Sequence, residues 1–168
     1  MVGMSDFPIA APNEILPGIW LGDREDALNW SEREEPCGIV TVHEDLRDKI
    51  PKAHAIPIMV GHFVEVKPAY PGLKAKPQWF VDYASEAMLD AATSVMKHYQ
   101  DHGIPVLVHC WAGVERSPLT MAWFLVRYGH VKTLNEAYET IRAKRPIVED
   151  RQHWLRNRYW EERAKNGS

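Results

Sequence analysis

The chain has 168 residues, 45% of them hydrophobic, with a formal net charge of -3 at pH 7. That length suits one domain with a real core, and the acidic balance argues against a nucleic-acid or anionic-membrane binder, which needs a basic surplus. No apolar stretch approaches a membrane span, and the first residues lack a basic-then-apolar signal pattern.

In chain order, residues 16–21 read as a strand and 23–30 as a short helical stretch. Strands follow at 38–42 and 53–58. Residues 60–77, rich in proline and glycine, read as a long loop. From Pro77 to Asp101 apolar residues recur at Phe80, Ala84, Met88, Ala91, Val95 and Tyr99, the spacing of a helix packed on a core. Residues 104–108 read as a short buried strand and 117–126 as a helix with proline in its first turn. Helices are predicted at 133–144 and 149–165, the last carrying Trp154, Leu155, Arg158 and Trp160 and docking on the core. No repeat or linker interrupts the chain, so one domain over 1–168 is expected, with its core at about 14–164.

The run His109-Cys110-Trp111-Ala112-Gly113-Val114-Glu115-Arg116-Ser117 lies between the buried strand and its following helix. Such a loop gathers backbone N–H groups into an anion cradle, formed here by residues 111–116. The same cradle and the helix dipole favour a thiolate at Cys110, the form that attacks. Arg116 offers a planar two-pronged grip on phosphate oxygens, and Ser117 a hydrogen bond to the sulfur. His109 would hold the loop through its ring nitrogens. These residues fit phosphate-ester hydrolysis through a cysteinyl-phosphate.

This loop resembles the active-site signature of the cysteine-dependent protein tyrosine phosphatases, in particular the dual-specificity type. The stretch 14–22 is similar to that family's opening strand and turn, and 135–146 to its helix ending in a basic-proline step. The resemblance implies an α/β fold: a central mixed, mostly parallel sheet flanked by helices, with the phosphate loop at the sheet's C-terminal edge. It also implies a phosphorylated protein or small aryl phosphate as substrate, no cofactor and no metal. A cytoplasmic monomer without nucleic-acid or membrane partners is expected.

The chain departs from the family's pattern at the general acid. The family places an aspartate after an Ile-Pro strand, but here Ala55-Ile56-Pro57-Ile58 runs into Met59, Val60 and Gly61. No aspartate lies between Asp48 and Asp82. Three replacements stand open: Glu65 on the long loop, Asp82 inside the expected helix, and Glu115 within the cradle. Lipid phosphatases of the myotubularin and Sac types carry an acidic residue at the position of Glu115, where a bound phosphate dianion favours the protonated form. The RNA 5′-triphosphatase type lacks the aspartate, but its loop markers are missing here.

Lys67, Lys74 and Lys76 could add the positive charge that a phosphoinositide needs. Trp111, Trp79 and Tyr70 could instead line a pocket for an aromatic phosphate, the favoured reading. Loss of the acid also raises a phospho-binding pseudophosphatase, although a binder has no need of Cys110. His98 and His102, four apart, suit a helix-end dipole contact better than a metal. Cys37 is weighed as a redox partner of Cys110 and reads better as a core thiol. Asp150 is weighed as a water-orienting residue and reads better as a cap.

Overall fold

The computed structural model describes residues 11–156 and 160–166. Strands β1 (Asn13–Leu16) and β2 (Ile19–Gly22) form a hairpin. Helix α1 (Arg24–Ser31), β3 (Gly38–Thr41) and β4 (His54–Ala55) follow. Next come β5 (Met59–Val66), β6 (Lys76–Ala84), α2 (Glu86–Asp101) and β7 (Val106–His109). Helices α3 (Arg116–Arg127), α4 (Leu134–Lys144) and α5 (Trp160–Asn166) close the order. Five strands make a sheet in the order β1-β2-β7-β3-β4, parallel except for the β1–β2 pair, as the family resemblance implied.

Alternation along the central strand sorts the core. Val106 and Val108 of β7 join the cluster beneath α2, α3, α4 and α5, while Leu107 turns to a smaller cluster with Ala27 and Trp30 of α1. Helix α3 is buried along ten successive residues from Ser117 to Val126, the reason its sequence is apolar nearly all round. The chain enters α1 through a capping box: the Asp23 carboxylate accepts from the Glu25 and Asp26 amides, and Asp26 accepts from the Asp23 amide.

Five expectations need correction. The strand expected at 16–21 is split by a turn at Pro17 and Gly18, where Gly18 takes φ +79°. The strand at 53–58 shrinks to two residues. The long loop expected at 60–77 is largely a second sheet: β5 and β6 pair antiparallel from Met59↔Ala84 to Val66↔Lys76. Its strands are rich in valine and aromatic residues, and at Pro77 the outer edge of β6 meets no further strand among the described residues, which a proline tolerates. Helix α2 therefore begins only after Ser85, whose hydroxyl caps Met88 N–H, and Asp82 sits on a strand. Within α2 the buried stripe runs through Leu89, Ala92, Thr93 and Met96, while Met88, Val95 and Tyr99 are partly buried and Ala91 is exposed. The helix expected at 149–165 is a 3-10 turn (Gln152–Trp154) and the separate α5. Arg158 and the Trp160 side chain lie outside what is described.

Cys37 stands half-buried just before β3, its thiol 3.5 Å from the Trp30 carbonyl. Cys110 stands just past the opposite end of the neighbouring β7, in parallel register Gly38↔Val106 to Thr41↔His109.

Candidate active site

The central strand β7 ends at His109 between Gly22 of β2 and Thr41 of β3, so the loop 110–115 emerges at the middle of the sheet's C-terminal edge. His109 is fully buried, and its Nδ1 lies 3.0 Å from the Cys110 carbonyl, which can only accept. Nδ1 therefore carries the proton, and Nε2 accepts from the Thr41 hydroxyl at 2.7 Å. Burial pushes this imidazole down to about 4, and its two bonds tie the start of the loop to β3.

Cys110 is buried, and the Ser117 hydroxyl, on the first turn of α3, donates to its sulfur at 3.2 Å. Arg116 faces Glu44 through two parallel bonds, Nε to Oε2 at 3.1 Å and a terminal nitrogen to Oε1 at 2.8 Å. Both side chains are largely buried, at 15% and 16% exposure. Glu44 opens a 3-10 turn (Glu44–Leu46) directly after β3, and His43 Nδ1 caps that turn by accepting from Asp45 N–H at 3.1 Å. Burial and the Arg116 charge both lower the basicity of His43. His43, Glu44 and Asp45 form the one grouping of metal-type ligands among the described residues. Arg116 already occupies the Glu44 oxygens, and the Asp45 amide occupies His43 Nδ1.

The loop is fixed from behind by Arg145, almost wholly buried. Its guanidinium donates to the Gly113 carbonyl (2.9 Å), the Ala112 carbonyl (3.2 Å) and, on its far side, the Ala11 carbonyl and Asn13 Oδ1. Gly113 adopts φ +69°, and an added Cβ would stand 2.6 Å from both an Arg145 nitrogen and the Gly22 carbonyl oxygen. From the side, Arg24 donates to the Trp111 carbonyl through its backbone and its side chain while stacking on the Trp111 ring at 4.4 Å.

The resulting pocket has a volume of about 230 Å³ and is lined by His43, Cys110, Trp111, Ala112, Val114, Glu115 and Arg116. Of the three acid candidates, Glu115 alone lines it, accepting from Arg151 Nε at 2.9 Å; Arg151 also bonds Glu149. Asp82 accepts from or pairs with His62 at 2.9 Å on the exposed β5–β6 ribbon, and Glu65 lies farther out on the same ribbon. Trp79, Tyr70, Lys67, Lys74 and Lys76 also belong to that ribbon or its tip rather than to the pocket lining. Asp150 Oδ1 accepts from the Gln152 amide at 2.9 Å, a turn cap.

The sequence reading missed Glu44, Thr41, Arg24 and Arg151, and it noted Arg145 only as part of a helix-ending motif. The signal for Glu44 was an acid two residues past the strand predicted at 38–42.

The dual specificity phosphatase catalytic domain model matches residues 71–163. The human dual specificity protein phosphatase 16 is 30% identical over 145 residues, and the bovine dual specificity protein phosphatase 26 is 28% identical over 145. These alignments take in 84% and 83% of this chain, which spans 20% and 62% of the two relatives' lengths. The crystal structure of PTPMT1 in complex with PI(5)P shares the fold, with a TM-score of 0.63 at 18% identity over 94% of each chain. No helix among the described residues is long and apolar enough to cross a membrane. The loop between β7 and α3, with Cys110 buried at its start, on this sheet and with this family match, makes the chain a member of the dual-specificity type of the cysteine-dependent protein tyrosine phosphatase superfamily.

Proposed function

We propose that the chain hydrolyses phosphate monoesters through a cysteinyl-phosphate, with phosphotyrosine, phosphoserine or phosphothreonine in proteins as the substrate class. The observation that carries this is the Ser117 hydroxyl 3.2 Å from the Cys110 sulfur at a pocket whose wall presents Arg116, already oriented by Glu44. Cys110 Sγ attacks phosphorus and the P–O bond to the leaving group breaks. Arg116 and the amides of residues 111–116 hold the three equatorial oxygens as charge spreads over them.

Glu115, protonated on Oε1 while Arg151 holds Oε2, delivers that proton to the departing oxygen and, in the second step, takes one back from the attacking water. The S–P bond then breaks, inorganic phosphate leaves, and Ser117 steadies the returning thiolate. Support for Glu115 over Glu65 and Asp82 is its place on the pocket wall. Exposed Trp111, braced by Arg24, offers a flat face to an aryl leaving group. A free thiol in this role suits a reducing compartment such as the cytoplasm.

The test is phosphate release from para-nitrophenyl phosphate by the wild type and Cys110→Ser; equal rates would sink the nucleophile. Glu115→Gln, Glu65→Gln and Asp82→Asn are then compared on aryl and alkyl phosphates, with phosphopeptides and phosphoinositides as further substrates. The true acid loses most on the poorer, alkyl leaving group.

A further inference from the structure

We propose that the tip of the β5–β6 ribbon docks on an anionic phospholipid surface. The inference is independent of the reaction assigned to Cys110. The ribbon leaves the body at Met59 and Ala84, both buried, and its strands of eight and nine residues carry the tip roughly 25 Å outward. From residue 66 to residue 81 the chain has no acidic side chain and three lysines, Lys67, Lys74 and Lys76. All three are exposed, and none forms an ion pair among the described residues. Between them stand Tyr70 at 72% exposure, Leu73 at 61% and Val66 at 41%. A hollow of about 480 Å³ runs between the strand ends, walled by Val66, Leu73, Pro68 and Pro77 and rimmed by the three lysines.

The net charge of -3 does not oppose this. Screening confines each charge to about 8 Å at physiological salt, so a tip roughly 25 Å out meets a surface on its own terms. Lysines interleaved with a tyrosine and aliphatic side chains match a bilayer interface, where cations meet headgroups and apolar groups enter the acyl boundary. Three prolines, Pro68, Pro71 and Pro77, remove backbone N–H groups that an interface would otherwise have to satisfy. A protein partner is less well matched: hot spots centre on well-packed, desolvated anchors, whereas Tyr70 and Leu73 stand 72% and 61% exposed and are interleaved with lysines.

The ribbon's root fixes the orientation. Ile58 N–H donates to the Val42 carbonyl and Ser85 N–H to the Ile58 carbonyl, while Val42 N–H donates to the His109 carbonyl. Ribbon and Cys110 loop thus rise from the same edge of the sheet, and docking brings that edge toward the bilayer.

The test is co-sedimentation of the full chain with phosphatidylcholine vesicles, pure or containing roughly 30% phosphatidylserine. The wild type should bind the anionic vesicles, release with added salt and ignore the neutral ones. Lys67→Gln/Lys74→Gln/Lys76→Gln together should weaken binding roughly a hundredfold, and Leu73→Ser several-fold, with melting temperatures unchanged. Failure of the wild type to bind, equal binding to neutral vesicles, or unchanged binding by the triple variant overturns the proposal. Capture by polyglutamate but not by vesicles overturns it in favour of an acidic protein partner. A tip-dependent dimer that does not bind vesicles overturns it in favour of self-association.

Discussion

Replacing Glu44 by alanine separates two effects that oppose each other. Glu44 orients Arg116 through bonds of 3.1 and 2.8 Å, and it also places a negative charge beside a site for a dianion. On charge alone, a carboxylate roughly 6 Å from a phosphate oxygen repels it by about 3 kcal/mol per unit charge at an effective dielectric near 20. Removing it should therefore lower KM. On geometry, Arg116 loses the fork that fixes its plane, and a reacting-group misplacement of about 1 Å is worth roughly a hundredfold in rate. Glu44→Ala should show kcat reduced about a hundredfold with KM equal to or below the wild-type value. Glu44→Gln keeps one acceptor and turns its amide donors against the guanidinium, so it should fall between. Steady-state kinetics on para-nitrophenyl phosphate, with inorganic phosphate as inhibitor, reads both parameters. A kcat within threefold of wild type for Glu44→Ala would refute the idea that this pair orients Arg116.

Gly113→Ala should lower stability by about 3 kcal/mol, combining a left-handed backbone with overpacking against Arg145 and Gly22. Gly18→Ala, at φ +79° with nothing within 4 Å of the added Cβ, should lower it by only about 1 kcal/mol; equal losses in thermal melts would remove the clash from the account. His109, held down to about 4, should show no imidazole titration by NMR between pH 5 and 8, with its proton on Nδ1. Because its folded value lies below the unfolded 6.5, it contributes stability that is lost as pH falls from 6.5 toward 4. Asp26 is opposite in sign: burial raises it to about 6 from 3.8, so the native state binds the extra proton and stability falls as pH rises through that window. Asp26→Asn should flatten that part of the denaturation profile, and an unchanged slope would count against it.

The cradle was legible because its parts are local: a β-rich run, a glycine, then Ser-Pro opening a helix. What fixes the cradle was not, since Glu44 reaches Arg116 across 72 positions and Arg145 reaches Gly113 across 32. Such pairs exist only once the fold brings distant segments together, β3 beside β7 for Glu44 and the end of α4 against the loop for Arg145. The β5–β6 ribbon was misread for a different reason. Phe80 and Ala84 happen to fall at helical spacing with Met88, and Pro77 looks like a breaker until the ribbon edge beside it is seen to meet no further strand among the described residues. Ser85, a good cap three residues before Met88 N–H, was the available boundary signal. Lys67, Lys74 and Lys76 were visible in the sequence, but not that a ribbon carries them together to one tip away from the cradle.

The parallel register of β3 and β7 bears on what happens when Cys110 is oxidised. Cys37 and Cys110 are the chain's two cysteines, and they flank opposite ends of neighbouring strands, roughly 16 Å apart along the strand direction. A disulfide spans at most about 7 Å between Cα atoms, so the folded chain has no resolving thiol for a sulfenic acid at Cys110. Recovery then depends on a thiol from outside the molecule arriving before a second oxidising equivalent carries the sulfur to the irreversible sulfinic state.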